Sequence, residues 1–357
     1  MAVDLPMTEP IEWPGDQARC RVCDQWAAME LVTVREMMFG TGEPFDYLRC
    51  GACGSLLIRA VPGDLDRFYP AGYYSLVGAG ELSRQSPFRR WATGVIVDQA
   101  IFRRRGRRRA LLATAIVGAP PVLDDLRRLV ATAHLRSRAD RILDVGSGAH
   151  PDRLVVLRQF GFANLTAVDP YVDRPSRHLG VPVLKGTIDE ITGSFRFITF
   201  HHSLEHVPDP QATLRSARRL IHDAGRVQVR TPVMGTGLWR RYGSDWVEID
   251  APRHLAVFSL DGFRRLVALT GFEIERIGWE SAEWEFMASE QYQRGIALHG
   301  PSSQVDNPSL GRFDAATLEG FRAEARRLNG AGDGGRASFW LRPVEIPAPA
   351  GRGQTQT

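Results

Sequence analysis

Two thiol pairs, Cys20/Cys23 and Cys50/Cys53, and a glycine turn, DVGSGAH at Asp144 to His150, are the patterns in this chain whose residue types and spacing can do chemistry. The spacing C-x2-C-x26-C-x2-C puts two sulfurs on each of two tight turns. Two such turns facing each other supply the four thiolates of a tetrahedral zinc site. All four cysteines of the 357 residues fall in these pairs. In a reducing compartment the doubled spacing favours a metal over two disulfides. Four protein ligands leave no open position, so the zinc is expected to be structural and to couple its binding to folding.

The glycine turn closes an apolar run, RILDV, and opens a helical one. In a doubly wound sheet a ligand sits at the carboxyl ends of the strands, with the first strand-to-helix turn against its charged part. Gly146 and Gly148 let backbone approach closely, and the helix start offers N–H groups to a carboxylate or phosphate. A nicotinamide-type fingerprint needs a third glycine where this chain has Pro151, which weakens that reading. Asp169, ending AVD, is placed to accept from both hydroxyls of a ribose, although Asp-Pro is also a common turn pair. Asp189 is a candidate acceptor for an adenine amino group, with a plain surface role as the alternative.

Positioning these residues takes an alternation of strands and helices. From Arg141 the order is RILDV, a helix near 152–160, NLTAVD, VPVL, FRFITF, a helix near 209–221 and GRVQVR, which implies a parallel sheet covered on both faces. A helix over 260–270, a strand over 272–277, a helix over 315–328 and a strand over 337–341 complete it. Ahead lie short β runs around the cysteines, an aromatic link FYPAGYYS at 68–75, and helical sequence from Ser86 to Ala133 broken at 118–121. The expected division is a zinc ribbon with an N-terminal arm over 1–66, a helical connector over 67–138, a cofactor-binding domain over 139–343 and a disordered tail over 344–357. The fold class is α/β: a doubly wound, mostly parallel Rossmann-like sheet plus the small ribbon.

A hydrophobic fraction of 43% and a charged fraction of 24% exclude wholesale disorder and a multispan membrane protein. The net charge of +4 comes with arginine runs at 103–105 and 107–109, read first as a solvated helix face and second as a grip on anions. The apolar segment 110–117 beside them is expected to pack on the neighbouring domain rather than lie in a membrane surface. The first 19 residues carry acids and prolines and no apolar core, so neither a secretory nor a transit signal is expected, and the cytosol is the expected location. No stretch reaches the length of a membrane span.

Taken together, the motifs from Arg141 to Arg342 resemble class I methyltransferases that use S-adenosylmethionine. Their first strand ends in D-x-G-x-G and their second in an acidic residue. FITFHHSLEHVPDP (197–210) resembles the fourth-strand segment of families with an LEH motif, GRVQVRTP (225–232) their fifth strand, and DAPRHLAVFS (250–259) their later region. LNGAGDGGRASFWLR (328–342) resembles their last strand, which implies an antiparallel one. The ribbon with its aromatic link is similar to zinc-ribbon methyltransferases of sugar and polysaccharide pathways. One departure is His150, where the family's turn usually has a third glycine.

The resemblance implies S-adenosylmethionine as cofactor, held by Asp144, Gly146, Ser147, Gly148, Asp169, Pro170, Thr187, His202, Leu204 and His206. It implies a histidine facing the acceptor in the H-x3-F-S segment, which here is His254. An oxygen or carbon acceptor must lose a proton, and histidine is the natural base near neutral pH. His254 is therefore expected as base or acceptor ligand, with His202 as a second catalytic candidate and Glu205 orienting a ring nitrogen. Trp239, Tyr242 and Trp246 are expected either to wall an acceptor pocket or to pack in the core. The expected acceptor is a small molecule, a sugar, nucleotide-linked sugar or glycan. An RNA methyltransferase gripping nucleic acid by the ribbon and the arginines, and a non-catalytic cofactor-binding scaffold, are the competing readings.

Overall fold

The structure, a computed structural model, describes residues 17–69, 86–103, 106–118 and 123–345. The N-terminal arm to residue 16, the aromatic link from 70 to 75, arginines 104 and 105, the break at 119–121 and the tail from 346 lie outside the described residues.

In chain order the ribbon comprises β1 (Gln17–Arg19), β2 (Trp26–Arg35), β3 (Pro44–Cys50) and β4 (Leu56–Ile58). The connector holds α1 (Pro87–Ala100), α2 (Arg107–Val117) and α3 (Leu123–Thr132). Then come β5 (Ile142–Val145), α4 (Asp152–Gln159), β6 (Leu165–Asp169), β7 (Ser176–His178), β8 (Val181–Lys185), β9 (Phe195–His201), α5 (Pro210–Leu220), β10 (Ile221–Met234) and α6 (Gly237–Tyr242). The last part is β11 (Ala256–Ser259), α7 (Leu260–Leu269), β12 (Phe272–Trp279), α8 (Glu283–Gln293), α9 (Ala315–Ala331) and β13 (Arg336–Pro343).

Strands β8, β6, β5, β9 and β10 pair in that order, all parallel. β13 then lies antiparallel between β10 and β12. All four residues of β5 are buried, as a strand covered on both faces requires. One face packs Leu143, Ile198 and Val229 against α5 and α7. The other packs Ile142, Ala167 and Val183 against α1, α3 and α4. Strands are added on one side of β5 with β6 and on the other with β9, so the switch point of the sheet lies at the end of β5.

The ribbon is continuous with this sheet. The far end of β10 pairs parallel with β11 through Val233↔Phe258, and β11 pairs antiparallel with β4 through Ala256↔Leu57. Asp209 and Ser259 cap α5 and α7 by accepting from Ala212 and Gly262 N–H at 2.9 Å.

The connector departs from expectation in one respect. Helix α2 turns only Ala110 and Ala113 inward, while Leu111, Leu112 and Ile116 are 62–65% exposed beside Arg107–Arg109. Most of the large apolar residues of 110–117 therefore do not bury themselves on a neighbouring domain, because the contact with α1 is made by Ala113 and the half-buried Val117. No helix among the described residues is long and apolar enough to cross a membrane.

Candidate active site

The two thiol turns are built alike. Asp24 N–H donates to Cys20 O at 2.9 Å, and Gly54 N–H to Cys50 O at 2.7 Å. Both closing residues are left-handed, at φ 62 and 77. The turns face each other with Cys20 Sγ 3.9 Å from Cys53 Sγ and Cys23 Sγ 3.9 Å from Cys50 Sγ. All four sulfurs are buried and lie within 4.8 Å of one another. Tetrahedral thiolates about 2.3 Å from a zinc ion stand roughly 3.8 Å apart, so the residues present fit that ion. The second turn docks on the N-terminus of α7, where Ser259 N–H donates to Ser55 Oγ at 3.0 Å and Ser259 Oγ donates to Cys53 O.

At the end of β5, Gly146 and Gly148 adopt φ of +73 and +64. A Cβ on Gly146 would stand 2.3 Å from Ser203 Cβ, so this turn admits no side chain. Ser203 Oγ donates to Val145 O at 2.7 Å, which ties the loop after β9 to the loop after β5. Asp169 is buried and accepts from Gly148 N–H and Tyr171 N–H, each at 2.8 Å, one bond to each oxygen. Burial pushes its carboxyl up, against those two bonds. Each oxygen keeps a further lone pair, as ribose hydroxyls need. Asp144 is buried under the same turn with Arg153 at 3.4 Å, and burial raises its carboxyl as well.

The remaining expected residues divide. Ser147 and Pro170 stand half-buried at the two strand ends. Thr187 donates its N–H to Glu190 at 3.1 Å at the end of the β8 loop. Leu204 is fully buried, its side chain committed to the core. His150 packs on His178 with ring centroids 4.4 Å apart. Asp189 accepts from Ser216 Oγ on α5. Trp246 and Tyr242 are buried in the core beneath α8 and α9, with Trp239 packed against it.

The histidines differ sharply among themselves. His201 accepts from Arg230 at 2.8 Å, and burial drives its imidazole well below the ordinary range. His202 has φ 51, a strained conformation for a non-glycine residue, and its Nδ1 lies 3.2 Å from Glu205 Oε1. His206 and His254 meet edge to face with centroids 4.6 Å apart. The Nδ1 of His206 donates to Arg253 O at 2.9 Å, and that of His254 to Glu248 O at 2.8 Å. Burial, then the neighbouring His254, lowers the His206 imidazole to about 4. Burial disfavours charge on Glu205, but its bond to His202 and the rings around it outweigh this and hold the carboxyl at about 2.

His254 stands on a loop whose shape comes from elsewhere. Asp250 is left-handed at φ 42 and Ala251–Pro252 is cis. Arg253 is completely buried and pairs with Asp250 at 2.6 Å and with Glu36, just past β2, at 2.9 Å. It also donates to Phe68 O at 3.3 Å. Tyr47 Oη on β3 donates to the backbone oxygen of His254 at 2.9 Å.

Residues 110–277 match the family model for a methyltransferase domain. The chain carries a methyltransferase domain. No curated protein matches the chain. Among solved structures it overlaps the YcgJ protein from Bacillus subtilis at 16% identity and TM-score 0.39, over 62% of this chain and 99% of that one. It overlaps the mitomycin 7-O-methyltransferase MmcR at 13% and 0.37, over 72% and 69%. Coclaurine N-methyltransferase, solved with N-methylheliamine and SAH, overlaps at 14% and 0.38, over 62% and 70%. Overlaps this slight carry no part of the assignment. S-adenosylmethionine is the cofactor the domain implies, and an electrophilic methyl on sulfur is what it supplies when bound.

Sequence reasoning placed the methyltransferase's glycine turn, Asp169 and the histidines together, and passed over what holds them. Glu36, Tyr47 and the Phe68 carbonyl all act on the His254 loop from the ribbon side. Arg253 carried a signal, being a lone arginine between Pro252 and His254 and three residues after Asp250. Glu36 carried none, because its partner stands 217 residues away.

Proposed function

We propose that this methyltransferase moves the methyl group of S-adenosylmethionine to a small-molecule acceptor of sugar type, whether a free sugar, a nucleotide-linked sugar or a glycan. The observation that carries the reading is the meeting of Glu205, His206 and His254 beside a glycine turn with no room for a Cβ. Asp144, Gly146, Ser147, Gly148, Asp169, Pro170 and Thr187 form the cofactor side, with His202 and His206 closing it and Leu204 supporting it from the core. His254 faces the acceptor. Its Nδ1–H is spent on Glu248 O, so Nε2 keeps the lone pair that a base or an acceptor ligand needs. His202, held by Glu205, is the second catalytic group.

Methyl transfer is an in-line displacement, so much of the rate comes from aligning acceptor and donor and excluding water. Buried Gly148 and Asp169 do the aligning on one side and the rigid His254 loop does it on the other. The sugar-type acceptor draws support from the likeness of the cysteine ribbon to sugar-modifying methyltransferases, and the four buried thiols support a structural zinc. Such a site suits the reducing cytosol.

Calorimetric titration with S-adenosylmethionine and its demethylated product tests the cofactor side, and silence with both ends the reading. A labelled-methyl screen starting from nucleotide sugars finds the acceptor. With that acceptor, His254→Ala lowers turnover by about 100-fold with cofactor affinity unchanged, the size expected of a lost general base. Unchanged turnover would remove His254 from the reaction.

A further inference from the structure

Glu205, His206 and His254 place one ligand atom each within 4.8 Å of the other two. All three are acceptors. With Nδ1 of both rings donated to backbone carbonyls, Nε2 is the lone-pair nitrogen in each. Glu205 is fully buried, and its Oε2 has no hydrogen-bond partner among the described residues, while Oε1 faces His202. A buried carboxylate oxygen left unmatched is unfavourable, so something with positive charge belongs beside it. A proton satisfies one pair of acceptors, whereas a metal ion satisfies all three.

We infer that Glu205, His206 and His254 form a second metal site, for a divalent transition-metal ion, distinct from the four cysteines. Two imidazoles and one carboxylate suit zinc, cobalt, nickel or iron, and leave open positions for water or an oxygen of the acceptor. The outer contacts match as well: metal-ligating histidines commonly give their other N–H to a carbonyl, as both do here. The His254 loop is further fixed by Arg253 between Asp250 and Glu36. Use of the ion to hold and acidify an acceptor hydroxyl rests on the methyl-transfer reading above, with His254 Nε2 then a ligand of the ion in place of a free base, whereas binding of the ion does not.

The test is titration of the full-length, zinc-loaded chain with Co²⁺, followed by metal analysis and visible absorption. The expected result is a second equivalent whose spectrum lacks the intense thiolate charge-transfer bands of a cysteine site. Glu205→Gln, His206→Asn and His254→Ala should each weaken that equivalent by roughly 10-fold or more while the cysteine-bound zinc stays. A wild-type chain that takes no second equivalent overturns the proposal without any variant. So does a second equivalent that persists in all three variants. A separate titration with S-adenosylmethionine keeps the outcomes apart, since cofactor binding without the second ion sinks this site and leaves the methyl-transfer reading intact.

Discussion

The glycine turn after β5 and the loop that carries His254 are held by different means. At the glycine turn the parts are close in sequence: the turn follows β5 directly, and Asp169 reaches back only 21 residues to the Gly148 N–H. The loop carrying His254 has near partners in Asp250, Glu248 and His206, and is tied as well to residues 185 to 217 positions away, on the ribbon or just after it. A site made of backbone turns needs small residues and sharp φ angles. One made of long-range side-chain contacts needs a second body to push against, and here the cysteine ribbon is that body.

The strongest way to break this contrast is Arg253→Met. Arg253 is buried between two carboxylates, and removing one partner of a buried ion pair typically costs about 3–5 kcal/mol because the others are left uncompensated. Denaturant unfolding measures the loss. A cost below about 1 kcal/mol would mean that the ribbon does not brace the acceptor loop. On the opposite side, Gly146→Ala should abolish tight cofactor binding while leaving the fold. The left-handed backbone costs about 1–2 kcal/mol for a residue with Cβ, and the 2.3 Å approach to Ser203 adds to it. A loss of about 100-fold in affinity is expected, near 2.7 kcal/mol, by calorimetry. Full affinity would place the cofactor elsewhere.

This contrast also decides what could be read from sequence. Residues 144–150 announce their own geometry, since positive φ at two glycines after an apolar run is a local property. The parallel sheet covered on both faces followed from the alternation of elements, and the antiparallel β13 from the resemblance at its end. The pairing of β4 with β11 did not, because β11 is four residues long with no alternation, and its role as the seam between ribbon and sheet depends on partners at both sides. Trp246 and Tyr242 illustrate the same point from composition. Aromatic residues suit a pocket wall or a core alike, and only helices α8 and α9 packing over them make them core. Helix α2 misled in the other direction: its apolar residues outnumber what α1 can cover, so three of them stay exposed.

A pH titration sharpens the picture on the acceptor side. Glu248, whose carbonyl holds His254, is buried beside Glu285 with one arginine, Arg336, between them at 3.3 and 2.9 Å. Burial pushes the Glu248 carboxyl up to about 8, opposed by Arg336 and reinforced by Glu285. Unfolding returns it to the ordinary value of 4.5. Between these values the unfolded chain has released a proton that the folded chain keeps, so this group's contribution is full below 4.5 and falls as pH rises through about 8. The slope is at most about 1.4 kcal/mol per pH unit. Glu248→Gln keeps the carbonyl and should flatten stability over this window in denaturant midpoints. An equal slope in the variant would assign the effect to another group.

The smallest effect belongs to Tyr47→Phe, which removes one oxygen and nothing else. Tyr47 is fully buried on β3, and its hydroxyl is a direct link from the ribbon to the backbone of His254. A single hydrogen bond is worth about 1 kcal/mol net. If all of that loss falls on loop position in the transition state, turnover drops about fivefold. Cofactor affinity should not move, since Tyr47 packs in the cluster with Leu255 and Phe286, whereas Leu143 and Val145 before the glycine turn belong to another. The ratio of the two effects is therefore the informative quantity. A parallel fall in cofactor affinity would mean that the glycine turn and the His254 loop move as one piece, and that the ribbon acts on the whole sheet rather than on the loop it contacts.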